Sequence, residues 1–156
     1  MMTWLGMLRS WMAWLYRLAV RDRAPRREPS LGLKLGQRGE RYAAQFLQQL
    51  GYRILPQDAV LAPGEIDLIA LDHQTLVFVE VKTRMSWHSG SPLEAVDRRK
   101  QRRLTAAALG FLKRHRLLEQ SVRFDVIGLT WPPDQKHPVV QHVRNAFEAE
   151  GYDGLF

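Results

Sequence analysis

The chain has 156 residues, of which 46% are hydrophobic and 25% charged, so it is long enough for one compact domain with an apolar core. It has no cysteine, which excludes disulfide frameworks and thiolate zinc sites and leaves the cytoplasm as the expected compartment. The formal charge of +7 suggests a polyanionic partner, but residues 1–30 hold six arginines against two acids and so supply more than half of that excess.

Residues 1–20 have the pattern of an amphipathic helix, with three tryptophans on one face and two arginines on the other. The arginines interrupt any apolar run long enough to span a bilayer, and no signal-peptide cleavage site is evident. The pattern is typical both of a helix on an anionic membrane surface, peripheral to its inner face, and of a helix that covers its own domain. Met7 and Met12 are further candidate start sites.

Residues 21–34 hold two prolines, a glycine and many charges without an apolar period, which predicts a linker. We expect the folded domain to cover residues 35–148 and a C-terminal tail to cover residues 149–156.

The first element of this domain is a predicted helix over residues 35–50. Ala43 and Leu47 recur at helical spacing, and Gly51 ends the pattern. Glu40 lies three residues before Ala43 on the same core-facing stripe, where an apolar residue is expected.

Three predicted strands follow. Residues 53–55 form a short one, and the segments 65–71 and 76–82 are rich in β-branched residues and separated by the four polar residues 72–75. This pattern predicts a β-hairpin. Since its second strand is apolar on both sides, it is expected to be central and buried.

A metal site is predicted on this hairpin. Symmetric closure sets Asp67 opposite Glu80 and Glu65 opposite Lys82, and facing carboxylates repel each other unless a cation lies between them. With Glu40 aimed at the same place, the all-oxygen set Glu40, Asp67 and Glu80 predicts Mg²⁺ or Mn²⁺. A metal-bound water would be the nucleophile, and Lys82 would serve as general base or as electrostatic stabiliser.

An acid-x-Lys tripeptide is common by chance, so the alternative is that Glu80 and Lys82 form an ordinary surface pair beside Asp67. A register slip of one residue would also turn one carboxylate to the other face. The conjunction of the inward Glu40 with both strands at matched spacing favours the metal site.

The rest of the chain predicts a second long helix over residues 93–116 and strands over 122–131 and 139–143. Together with the preceding elements, they predict a mixed sheet with helices packed on it. His142 has no partner at metal spacing and is interpreted as a plain strand residue.

The second helix has a basic exterior, since residues 98–116 carry eight Lys or Arg and no acid. Such a face can contact phosphates, although it is more often simply solvated. Lys100 lies on the buried stripe four residues before Leu104 and could reach the proposed site, with Gln101 adjacent to it.

Several segments of the chain resemble those of the YraN-type family, whose members are similar in fold to Holliday junction resolvases and restriction endonucleases. The resemblance covers residues 31–148 and rests on the segments 36–40, 64–69, 77–84, 100–104, 123–126 and 145–147. It implies the α/β class, with a restriction-endonuclease-like mixed β-sheet flanked by helices. It gives Glu40, Asp67, Glu80 and Lys82 the metal-binding and catalytic positions.

The resemblance further implies a Mg²⁺- or Mn²⁺-dependent endonuclease acting on DNA, branched or single-stranded, and it suggests a homodimer. Candidate nucleic-acid contacts are Arg84, Lys100, Gln101 and Arg103. Two alternatives remain open, namely a nucleic-acid-binding module without turnover and a membrane-surface adaptor led by residues 1–20.

Overall fold

In a computed structural model, the structure describes residues 34–56, 66–86 and 94–149. The predicted N-terminal helix, nearly all of the predicted linker and Glu65 lie outside the described residues. Neither helix of the described part of the chain is long and apolar enough to cross a membrane.

The described residues form two helices and five strands in the predicted order. They are α1 (Leu35–Gln49), β1 (Arg53–Ile54), β2 (Leu68–Asp72), β3 (Thr75–Arg84), α2 (Arg98–His115), β4 (Val122–Thr130) and β5 (Val139–Val143). The strands make one sheet in the order β1-β2-β3-β4-β5, in which β3 and β4 are parallel and all other neighbours antiparallel. The predicted α/β class is confirmed, and this mixed sheet is consistent with a restriction-endonuclease-like fold.

The hairpin of β2 and β3 is tighter than the sequence predicted. Asp72 pairs with Thr75, so only His73 and one further residue form the turn, and His73 adopts a left-handed φ of 54°. The register is unaffected by the shorter loop, because both strands gain one residue. Leu68 lies opposite Val79, and the residues just before and after them are therefore Asp67 and Glu80.

The central strand β3 is buried on both faces, as its sequence predicted. Val77 and Val79 pack with α1 in one apolar cluster, whereas Phe78 packs with Leu104 and Phe111 of α2 in another. Successive β3 residues therefore face alternate helices. The even-numbered residues, which include Glu80, lie on the α2 side of the sheet.

The ends of α2 are set by local interactions. Asp97 caps its first turn by accepting a hydrogen bond from the backbone N–H of Lys100 at 2.8 Å. The helix ends at Arg116, which takes up the left-handed conformation after a final turn of three basic residues. The predicted start at residue 93 was therefore five residues too early.

Candidate active site

Glu80 lies within β3, and its side chain is only 3% exposed. Such a carboxylate loses its hydration and requires positive charge nearby. Lys82, on the same face of β3, places Nζ 2.6 Å from Glu80 Oε1. Lys100, from the first turn of α2, places Nζ 3.1 Å from Oε2. The structure thus brings together one buried acid and two cations from separate elements.

The two oxygens of Glu80 are not satisfied equally. Lys100 is at ion-pair distance from Oε2 but is not aligned as a hydrogen-bond donor, and no donor among the described residues hydrogen-bonds this buried oxygen. A buried carboxylate oxygen in this condition retains capacity for a further electrophilic partner.

Asp67 lies at a bend immediately before β2. Leu68 packs in the α1-side cluster and Ile66 in the α2-side cluster, although they are two residues apart. The alternation of a regular strand is therefore broken at Asp67. Its Oδ2 accepts a hydrogen bond of 2.7 Å from the backbone N–H of Val81.

The electrostatics of Asp67 are unfavourable for its ionised form. Burial, followed by the charge of Glu80, raises the pKa of Asp67 to about 7 against the lowering effect of the Val81 hydrogen bond. The charge of Glu40 raises it further, and that of Lys100 lowers it. Asp67 and Glu80 therefore lie within electrostatic range of one another.

Glu40 belongs to α1, which packs on the face of the sheet opposite to α2. It nevertheless interacts electrostatically with Glu80. It is half-buried, and burial and the charge of Glu80 both raise its pKa. The approach of α1 depends on Gly39, because a Cβ at that position would overlap the side chain of Thr83 on β3. A glycine one residue before Glu40 therefore allows α1 to lie close to β3.

The four predicted nucleic-acid contacts lie on β3 and α2 and have different surroundings. Gln101 is turned away, since its Nε2 donates to the carbonyl of Val96 at 2.9 Å. Arg103 is exposed on α2, and Arg84 lies at the end of β3, where its carbonyl accepts a hydrogen bond from the Trp131 N–H. Lys100 contacts an acid of the predicted site directly, namely Glu80.

The acids of this site fit a divalent cation in donor chemistry but do not enclose one in the described residues. Among them, no three His, Cys, Asp or Glu side chains lie close enough together to enclose an ion. The donor chemistry nevertheless fits a hard cation, because the acids offer only oxygen and Glu80 Oε2 is buried without a hydrogen-bond donor in this part of the chain. Burial is the largest cause of the raised pKa values of Asp67 and Glu40, and the negative charge of Glu80 is the second cause at both positions.

Sequence reasoning missed a second buried carboxylate, Asp125 of β4. Its oxygens accept hydrogen bonds from Arg123 at 2.8 and 3.2 Å, from His142 at 2.8 Å and from the Asn145 backbone N–H at 3.0 Å. His142 is therefore more than the plain strand residue that was predicted. The only signal in the sequence was an acid inside an otherwise apolar strand.

The sequence profile described as "Uncharacterised protein family UPF0102" matches residues 39–129. UPF0102 protein RB9115 of Rhodopirellula baltica is 44% identical over 126 residues, which are 79% of this chain and 75% of that protein. A UPF0102 protein of Geobacter metallireducens is 45% identical over 114 residues, which are 73% of this chain and 92% of that protein.

A third relative, UPF0102 protein GSU0650 of Geobacter sulfurreducens, is 47% identical over 115 residues, covering 73% of this chain and 88% of that protein. The matched segment runs from Gly39 through β4 and so includes every acid and lysine of the cluster described above. The resemblance seen in the sequence is confirmed, and the chain belongs to the UPF0102 family, which is the YraN family.

Proposed function

We propose that this chain is a metal-dependent endonuclease that hydrolyses phosphodiester bonds of DNA. The observation that carries the proposal is the clustering of carboxylates around Glu80, whose buried Oε2 has no hydrogen-bond donor among the described residues. Three carboxylates from α1, the bend before β2 and β3 influence one another, and burial together with this repulsion raises the pKa of Asp67 to about 7. Sites of strongly perturbed carboxylates are enriched in catalytic function.

The chemistry follows from the residues that surround Glu80. Glu40, Asp67 and Glu80 would hold Mg²⁺ or Mn²⁺ by closing around it, since their side chains do not enclose an ion in the described structure. The ion would supply an activated water and neutralise charge on the phosphate. Lys82 contacts Glu80 and is 29% exposed, so its ammonium is open to solvent as well as to the acid. It is placed to orient the attacking water or to stabilise charge that develops on the scissile phosphate.

The partner is proposed from the basic exterior of α2. Seven of the eight Lys and Arg residues between positions 98 and 116 are exposed, namely Arg98, Arg99, Arg102, Arg103, Lys113, Arg114 and Arg116. Exposed cations on the helix that supplies Lys100 are suited to the phosphate backbone of DNA. We propose that Arg84, Lys100 and Arg103 contribute contacts close to the reacting phosphate, whereas the Gln101 side chain is engaged with the Val96 carbonyl.

Cleavage of labelled DNA tests this function. Single-stranded, duplex and four-way-junction DNA are incubated with the purified chain and Mg²⁺ or Mn²⁺, and the variants Asp67→Asn and Glu80→Gln are compared with it. Both variants should lose cleavage, because each removes the negative charge of a proposed metal-binding carboxylate without a large change of shape. Glu119→Gln is the matched control, since Glu119 is exposed in the turn after α2. Cutting by Asp67→Asn at the parent rate contradicts the proposal.

A nucleic-acid-binding module without turnover is the second candidate. The observation that favours it is that ammonium groups already lie against both oxygens of Glu80, which lowers the need for another cation there. This candidate predicts DNA binding that weakens steeply with salt, and no cleavage product with either metal. Filter binding at several salt concentrations, run beside the cleavage assay, separates the two functions.

A further inference from the structure

The two lysines that hold Glu80 come from different elements. Lys82 lies two residues further along β3 on the same face, so strand geometry alone keeps it beside the carboxylate. Lys100 belongs to α2, and its contact exists only because the first turn of that helix packs near β3. The two ion pairs therefore need not break together.

The contact made by Lys100 is the weaker of the two. Its Nζ lies 3.1 Å from Glu80 Oε2 without the alignment of a hydrogen bond, whereas Lys82 Nζ lies 2.6 Å from Oε1. The Lys100 side chain is 19% exposed and has a path to solvent. Its backbone is fixed by the cap from Asp97, so the side chain can leave Glu80 without movement of the helix.

We infer that the Lys100 ammonium occupies the cation position at Glu80 Oε2 and competes with the divalent metal ion for that oxygen. This inference rests on the proposed function, since it concerns the same site. An ion bound to Oε2 would lie within a few ångströms of Lys100 Nζ, where like charges in a buried setting repel strongly. The Lys100 ammonium then leaves Glu80 along its path to solvent.

Competition of this kind gives Lys100 two effects on the site. It balances the charge of the buried Glu80 when no metal ion is bound, and it lowers the affinity for the ion by the same coupling. Removing the ammonium should therefore lower the stability of the metal-free protein and raise its affinity for the metal ion. A lysine that only supports the fold would produce the first effect and not the second.

Calorimetric titration of Mn²⁺ into the full chain tests the inference. Lys100→Met should bind Mn²⁺ roughly tenfold more tightly than the parent, within the usual range of coupling between two sites. Lys100→Gln keeps a neutral hydrogen-bond donor and should shift the affinity in the same direction. It serves as the test if Lys100→Met does not fold. Lys113→Met is the matched control, because it removes the same charge from an exposed position at the other end of α2.

Thermal unfolding supplies a second readout. The rise in Tm caused by a fixed excess of Mn²⁺ should be larger for Lys100→Met than for the parent or Lys113→Met. Equal or weaker Mn²⁺ binding by both Lys100 variants overturns the competition and leaves the proposed function intact. Absence of binding in the parent and all variants removes the metal site itself, and with it both proposals.

Discussion

Two buried acids on adjacent strands, Glu80 of β3 and Asp125 of β4, have opposite surroundings. They lie on opposite faces of the sheet, since Asp125 shares the α1 side with Ile127. Burial would raise the pKa of Asp125, but hydrogen bonds from His142, Arg123 and the Asn145 backbone outweigh it and hold that pKa below its usual range. Glu80 has an oxygen without a hydrogen-bond donor among the described residues.

The difference separates a structural acid from a candidate reactive one. Asp125 ties β4 to β5 and to the segment after it, and Arg123 extends this network to Asp72 and Tyr52 at 3.0 and 2.9 Å. The hydrogen-bond donors around Asp125, namely His142, Arg123 and the Asn145 backbone, favour its ionised form. Around Glu80 the neighbouring acids oppose one another, as the raised pKa of Asp67 indicates. Conflict of this kind is costly for folding and is expected where function requires it.

Asp125→Asn should produce the largest effect, a fall of about 3–5 kcal/mol in the free energy of unfolding. The substitution keeps the shape but removes a fully buried negative charge that pairs with Arg123 and His142, and Arg123 retains only its contact with Asp72 among the ion pairs of the described residues. Urea denaturation at neutral pH measures the loss. Asp134→Asn, in the exposed turn between β4 and β5, is the control and should be nearly neutral. A loss below about 1 kcal/mol at position 125 would show that the network contributes little to stability.

Asp67→Asn should have the opposite sign and stabilise the protein. The Asn side chain still offers an oxygen to the Val81 N–H but carries no charge to conflict with Glu80. Because the pKa of Asp67 in the folded protein is about 7, the folded state retains a proton that the unfolded chain releases near pH 4. The parent therefore loses stability as the pH rises from about 4 to about 7.

The gain from Asp67→Asn should accordingly grow over that pH range and level off above it, with an upper limit of about 4 kcal/mol. Urea denaturation of parent and variant in chelator-treated buffer at several pH values measures this gain. If the difference in stability does not change between pH 4 and 8, Asp67 is ordinarily ionised in the folded protein, and the contrast with Asp125 disappears.

The sequence was sufficient for the features that depend on local pattern. The apolar run of β3 identified a central strand, and symmetric closure of the polar connection predicted the register of β2 and β3 even though the turn proved shorter than expected. The charge of Lys100 on the buried stripe of α2 indicated that it could reach the site, which the structure shows as a contact with Glu80.

Features that depend on distant contacts could not be predicted. The donors to Asp125 include His142 from another strand and the backbone of Asn145, which adopts a left-handed φ of 48°. No periodicity in the sequence reports such a meeting. The bend at Asp67 was missed for a related reason, because a regular strand pattern over residues 65–71 does not indicate where the alternation breaks.

Gly39→Ala should give a smaller loss, about 1–3 kcal/mol, because the new methyl group would overlap Thr83 and force α1 away from β3. Gly36→Ala is the matched control on the same helix. It has open space around it and should stabilise the protein by up to about 1 kcal/mol through helix propensity. Thermal and urea unfolding of both variants measure the contrast.

The same substitution links α1 to the acidic cluster. If Gly39→Ala moves Glu40 away from Glu80, the pKa of Asp67 should fall towards its ordinary value, since Glu40 contributes to raising it. Carbon-detected NMR titration of the Asp67 carboxyl follows this change. Equal stability of the Gly39→Ala and Gly36→Ala variants, with no change in the Asp67 titration, would mean that the close approach of α1 has no role in the site.

A double variant tests whether the Thr83 side chain is responsible. Thr83→Ala removes the hydroxyl oxygen, which is the atom that an alanine Cβ at position 39 would overlap most, together with the Cγ2 methyl at 3.2 Å, but it leaves the Thr83 Cβ at 2.9 Å. Adding Thr83→Ala to Gly39→Ala should therefore recover part of the lost stability and not all of it, so that the two effects are not additive. Full additivity would place the cost in the backbone of α1 and not in its contact with β3.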